Sequence, residues 1–204
     1  MAAGRVCIGF SYPTVAKYNR AGKTVTYTEG MRLARGVKVS LDIETSDDND
    51  FYADNVAAET DGGQFVSGTA KLTVDGLHQA AERFISGLAE PEEVAYGDSK
   101  VKVTKHGKNM NPPYLGIGFI VKYRSGGVDT YQPTILTKGK FKTAGLDAET
   151  QGKEIDYQTQ ELEADLCRDD TETEDWKWTA EEQKTEAAAL AILDGLLSVA
   201  EAEG

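Results

Sequence analysis

Carboxylates are the side chains best placed to do chemistry in this sequence, with 34 Asp and Glu against 22 Lys and Arg. The densest group is Asp47-Asp48-Asn49-Asp50-Phe51-Tyr52-Ala53-Asp54. Counting Asp48 as the first ligand of a calcium loop places Asp50 third, Asp54 seventh and Glu59 twelfth. The fifth position is then Tyr52, and the sixth is Ala53, where the sharp turn of such a loop needs glycine. Calcium is therefore not expected. Paired acids such as Asp169-Asp170 have the composition of a glycosidase site, but neighbours of this kind arise by chance in so acidic a chain.

The other reactive residues are few. Cys7 and Cys167 lie 160 positions apart and His78 and His106 are the only histidines, so a structural zinc site lacks ligands. GxSxG, P-loop, GxGxxG and HExxH patterns are absent. The expectation is a protein that is not an enzyme and holds no metal or cofactor. No apolar run approaches the ~20 residues of a membrane span, and no basic-then-apolar leader opens the sequence. Free thiols without a leader suit synthesis in a cytoplasm.

The elements that must carry these side chains are mostly strands. Val66, Ala70, Leu72 and Val74 share one face of Gln64–Val74, with Ser67, Thr69, Lys71 and Thr73 on the other. Leu115, Ile117, Phe119, Val121 and Tyr123 alternate in the same way, and Ser125-Gly126-Gly127 turns the chain into Val128–Ile135. Arg5–Phe10, Lys23–Thr28, Val37–Glu44 and Lys100–Lys105 read as shorter strands. Leu77, Ala81, Phe84, Ile85 and Leu88 have helical spacing, which predicts a flanking helix over about 76–88 with Asp75 as cap and Gly87 as stop. The capping box Thr179-Ala180-Glu181-Glu182 predicts a C-terminal helix over about 180–200. Between them, 44–64 reads as a long acidic loop.

Charge is segregated along the chain. Residues 1–42 carry +5, 43–98 carry −11, 99–142 carry +8 and 143–204 carry −14. Blocks of opposite sign can meet within one molecule or between copies. In Ile155–Cys167 the apolar parity changes, from Ile155 and Tyr157 to Leu162, Ala164 and Leu166, so a bulge or a change of buried face is expected. Glu161, Glu163 and Asp165 then share the opposite surface, an acidic row that survives in water or against cations. Lys138, Lys140 and Lys142 form a basic row of the same period, with Phe141 on the other side.

Taken together, several of these segments resemble the major tail proteins of long, non-contractile-tailed bacteriophages. The resemblance is carried by Gly22–Gly36 (GKTVTYTEGMRLARG), Val37-Lys38-Val39-Ser40 and, most specifically, Glu44–Asn55 (ETSDDNDFYADN). Gly68–Leu77, Asn111–Tyr123 and Gln158–Asp170 follow in the same order, so that it covers about residues 4–180. It implies a mainly β (α+β) fold: an antiparallel β-sandwich or partly closed barrel with one flanking helix; with the capping box at Thr179, the chain reads as a domain over 1–178 and a helical extension over 179–204. It also implies a virion structural protein, the tail tube subunit, whose hexameric rings stack around a tape-measure protein into the conduit for DNA. Its other partners would be the tail terminator and the baseplate or tail-tip proteins, and DNA would pass without sequence-specific binding.

On that resemblance Glu161, Glu163 and Asp165 are expected to face the lumen, where carboxylates hold phosphates off over a Debye length of ~8–10 Å. Lys138, Lys140 and Lys142 are expected at a subunit boundary. Asp47, Asp48, Asp50, Phe51 and Tyr52 are expected to contact the next ring, with the two aromatics as anchors. The rivals are a β-sandwich binding module, in which Trp176 and Trp178 would stack on a sugar, and the tube of a phage-derived secretion or toxin-delivery device.

Overall fold

A computed structural model describes residues 4–47, 49–53, 56–108, 110–145, 148–150 and 157–200, with the backbone alone for 49–53 and 56–61. In chain order the elements are β1 (Val6–Ala21), β2 (Thr24–Arg32), β3 (Gly36–Thr45), β4 (Asn49–Ala53), β5 (Val56–Asp61), β6 (Phe65–Val74), α1 (Gln79–Ser86), β7 (Glu92–Tyr96), β8 (Ser99–Val103), β9 (Leu115–Ser125), β10 (Val128–Phe141), β11 (Gln160–Cys167), β12 (Lys177–Thr179) and α2 (Glu186–Leu197). The architecture is mainly antiparallel β, as the alternation predicts. Eight strands form one sheet in the order β2-β1-β9-β10-β11-β6-β3, with β12 beside β10, and two further hairpins, β4–β5 and β7–β8, stand apart.

The sheet doubles over into a sandwich because β10 belongs to both halves. Val128–Leu136 pairs with β9, whereas Lys138–Phe141 pairs with β11. The register shifts between Leu136 and Gly139, and this irregularity reverses the parity of the strand. Before it Leu136 points into the sandwich; beyond it Phe141 does, and Lys138 and Lys140 point out. The interior is filled by Val15, Leu33, Leu72, Leu115, Ile117, Leu136, Leu162 and Leu166, all buried, and α1 contributes Ala81 and Ile85. The path ends in β2 and β3 without closing into a barrel.

A second core lies on the outside of β2-β1-β9-β10. There Ala16, Tyr27, Ile120 and Ile135 are buried under Ala189, Leu193 and Leu197 of α2. Gly118 permits this close approach. A Cβ added to it would lie 2.5 Å from Leu197 Cδ1 and 2.7 Å from Leu193 Cδ1. The wide apolar stripe of α2 thus has the support it needs, and the chain has three layers on this side of the fold.

The helices are shorter than the sequence predicts. Asp75 does not cap α1; it pairs with the Arg35 guanidinium and accepts the Arg35 backbone N–H, leaving His78 at the cap position and Gly87 as the left-handed stop. The predicted capping box does not start α2. Ala180 N–H donates to the Pro133 carbonyl, Gln183 exchanges two backbone bonds with Tyr131, and Thr185 caps the helix instead, its side chain accepting from Ala188 N–H. Gly195 does not break α2, which runs on to Leu197. The predicted long loop is also corrected, because Asn49–Ala53 and Val56–Asp61 pair as an antiparallel hairpin that extends the β3–β6 pair. Tyr157 lies outside β11 and is 85% exposed, while Ile155 falls outside the described residues.

Candidate functional site

Of the two outer sheet surfaces, α2 covers one and nothing in the described residues covers the other. The uncovered face is that of β11-β6-β3. Leu162, Ala164 and Leu166 are buried, and this fixes Glu161, Glu163 and Asp165 outward, opposite Thr73, Lys71 and Thr69 of β6. On β3, Lys38, Ser40, Asp42 and Glu44 pair with Thr73, Lys71, Thr69 and Ser67 and so continue the same polar surface to the edge.

The acidic and basic rows, separate in the sequence, meet within one subunit. Lys140 sits directly across from Asp165. The Lys142 ammonium bonds Glu163 and lies 3.2 Å from Asp165, while Lys71 approaches Asp42 at 3.8 Å. The Glu163 carboxyl is held below its usual range by Lys142, and the Lys142 ammonium is raised in turn by Glu163 and then Asp165. Five carboxylates, Glu161, Glu163, Asp165, Asp42 and Glu44, thus share the face with four lysines, Lys38, Lys71, Lys140 and Lys142. The surface is close to neutral, and among the described residues neither Glu161 nor Glu44 has an ion pair, Glu44 accepting instead from Ser67 Oγ.

Lys138 turns away from this group. Its ammonium is 2.7 Å from Asp170 and lies over the rings of Tyr18 and Tyr114, at 5.2 and 4.9 Å from their centroids. Asp170 also accepts from Tyr18 Oη at 2.7 Å and from Arg20 at 2.8 Å. Lys138, Tyr18 and Arg20 together hold the Asp170 carboxyl well below the ordinary carboxylate range. Burial, reinforced by Asp170, pushes the Tyr18 hydroxyl up to about 12. This cluster locks β1 to the segment after β11. Beside it, buried Asp169 organises the following turn by accepting from Thr171 N–H, Thr171 Oγ1 and Asp175 N–H. Sequence reasoning misses the part that both aspartates play, because the partners of Asp170 in β1 and β10 are remote in the chain.

The border of the bare face is the β3 edge, ten residues long, with Val37 and Ile43 exposed and no strand on its far side among the described residues. Long uncapped edges of this kind are pairing sites. The opposite border, β2, is partly occupied, because Gly30 N–H donates to the Ser198 carbonyl and Gly30 bridges Val199. Phe51 and Tyr52 lie in β4, Tyr52 opposite Ala57, and Asp50 pairs with Thr60. Asp47 is exposed ahead of this hairpin, and Asp48 lies outside the described residues.

Neither tryptophan offers an open stacking surface. Trp176 stacks on Phe65 at 4.8 Å with the rings 4° from parallel, and Trp178 meets Tyr27 edge-on and donates to Asp175. Cys7 and Cys167 are free thiols. Among the described residues no group of three or more His, Cys, Asp or Glu is arranged to hold a metal, and no helix is long and apolar enough to cross a membrane. No protein-family model matches the chain, and no curated protein matches it.

Proposed function

We propose that this protein is a structural subunit of a phage tail tube, assembling by itself into stacked hexameric rings through which DNA leaves the virion. The observation that carries the reading is the asymmetry of the sandwich. One outer face is sealed by α2, whereas the other is a polar strand surface running to an unpaired edge. A head-to-tail contact made along such an edge closes a ring when its rotation divides a full turn, and a second, axial contact extends it into a filament. Strands contributed by every copy then enclose an aqueous bore.

In this arrangement the β11-β6-β3 face lines the bore and α2 lies outward. Glu161 supplies unpaired negative charge to the wall, and two of the four lysines of the face, Lys142 and Lys71, are occupied by Glu163, Asp165 and Asp42, which reduces the cations open to phosphates. The basic row therefore acts on its own subunit's acids as well as at a boundary. The β4–β5 hairpin reaches the next ring, with Phe51 and Tyr52 as its anchors. The tape-measure protein, tail terminator and baseplate or tail-tip proteins are the further partners that the resemblance implies. A sugar-binding module would need exposed aromatics grouped on one surface, and the two indoles are spent on packing instead.

The test is the double substitution Phe51→Ala/Tyr52→Ala, followed by sedimentation velocity and circular dichroism. A folded monomer that no longer polymerises is expected. Unimpaired polymerisation would remove the hairpin from the axial contact, and an unfolded product would place the two aromatics in the core.

A further inference from the structure

The end of α2 is fastened across the outer border of β2. Leu197 is fully buried, and the chain leaves the helix through Ser198, whose backbone is left-handed at φ 50° and ψ 47°. The Ser198 carbonyl accepts from Gly30 N–H at 3.1 Å, and Val199 pairs with Gly30 in a parallel bridge. Only glycine admits this contact, because a Cβ added to Gly30 would lie 2.3 Å from the Leu197 carbonyl oxygen and 2.8 Å from Val199 Cγ2. Close by on β2, the Arg32 guanidinium pairs with Asp194 in the last turn of α2.

Two features of this helix end work against it. A left-handed backbone is unfavourable for a residue with a Cβ, and Ser198 stands where a helix usually places glycine. An acid in the last turn opposes the helix dipole, and α2 has Asp194 there with no basic residue beside it. Both are offset from β2, by the Gly30 bond to Ser198 and by the Arg32 pair to Asp194. An end held from outside can lift while Ala189 and Leu193 keep the rest of the helix in the second core.

What it covers is a strand border. The sheet path has two ends, β2 and β3, and β2 has no strand on its outer side among the described residues. A head-to-tail contact draws on two different surfaces of each copy, so the free β3 edge needs an edge of another kind to meet. A strand laid along β2 would run into Val199 and find Gly30 N–H already taken.

We propose that residues 197–199 are an autoinhibitory clasp that closes the β2 edge of the free subunit and lifts when the β3 edge of a second copy pairs along β2. The incoming strand then takes the Gly30 N–H that Ser198 releases. This rests on the self-assembly reading above and adds to it a control over when the contact forms.

The test uses substitutions of opposite effect in the full-length chain. Val199→Pro removes the N–H that bonds the Asp194 carbonyl at 3.0 Å and drives Ser198 out of the left-handed region, which loosens the clasp. Gly30→Ala loosens it from the β2 side should Val199→Pro fold poorly. Ser198→Gly relieves the left-handed backbone and tightens the clasp, leaving about fivefold fewer open molecules. Hydrogen exchange of the Gly30 peptide, read by mass spectrometry on the monomer, reports the clasp, and light scattering of concentrated protein reports assembly. Gly30 is expected to exchange faster in the loosened variant and slower in Ser198→Gly. The time to half-assembly should shorten in the first and lengthen in the second, by about fivefold each way. Wild-type assembly rates in both variants would overturn the clasp and leave the tube reading standing, as would unaltered exchange at Gly30 in both. Failure of wild type and variants alike to assemble at any concentration would refute the self-assembly reading and the clasp with it.

Discussion

Reversing the acidic row is the perturbation with the most direct consequence for DNA passage. The substitutions Glu161→Lys, Glu163→Lys and Asp165→Lys change the charge of each subunit by +6 on a face where five carboxylates now meet four lysines. These side chains point outward from β11 while Leu162, Ala164 and Leu166 hold the core, so the sandwich is expected to survive. If each new lysine neutralises one phosphate, the logarithm of DNA affinity should fall with the logarithm of salt at a slope near −0.9 per contact, about −2.7 in all. Between 50 and 200 mM salt that is a loss of about 40-fold. Fluorescence anisotropy with a short duplex measures it, with circular dichroism as the check on folding. The wild type should show no comparable binding. In assembled tubes the variant should retain duplex at low salt and release it at high salt. A folded variant that binds DNA no better than the wild type would refute the accessibility of this face, and salt-sensitive binding by the wild type would refute its repulsive role.

Other expectations concern the parts that hold this face in place. Gly118→Ala should destabilise the protein by about 1–3 kcal/mol through overpacking against Leu193 and Leu197, and Leu193→Ala by about 2–5 kcal/mol through the cavity it leaves; urea denaturation reports both. Asp170→Asn should weaken the tie between β1 and the segment after β11. Because the folded Asp170 carboxyl titrates below its unfolded value of about 3.9, its contribution is present above pH ~4 and is lost as pH falls below that. The variant should therefore lose stability at neutral pH and show a flatter decline in acid, as thermal melts across pH 2–7 would record. Tyr18→Phe should have the opposite pH signature. Its hydroxyl is raised to about 12, so the wild type loses this contribution as pH climbs from about 10 towards 12, and the variant should lack that alkaline step.

What is legible in the sequence is local. The β9–β10 turn can be read because Gly126 and Gly127, at φ 57° and 83°, supply the left-handed backbone of a two-residue hairpin. The outward set of Glu161, Glu163 and Asp165 can be read because Leu162, Ala164 and Leu166 alternate with it. The capping box at Thr179 misleads because local propensity yields to pairing, with Ala180 and Gln183 taking their backbone partners from Pro133 and Tyr131. The β4–β5 hairpin is hidden by its acidic composition, which resembles a loop. The neutralisation of the acidic row is not legible either, since it depends on Lys142 and Glu163 being brought together across the β10–β11 pair. The amphipathic β7–β8 hairpin has a visible signal in Val94, Tyr96, Val101 and Val103 around Gly97-Asp98, but only its second half, within Lys100–Lys105, reads as a strand.

Electron microscopy of the purified, concentrated protein in negative stain tests self-assembly around a bore most directly. Hollow filaments of uniform width, with six subunits in each ring on averaging, are the predicted result. A field of isolated monomers, or solid fibres with no stain along their axis, would contradict it.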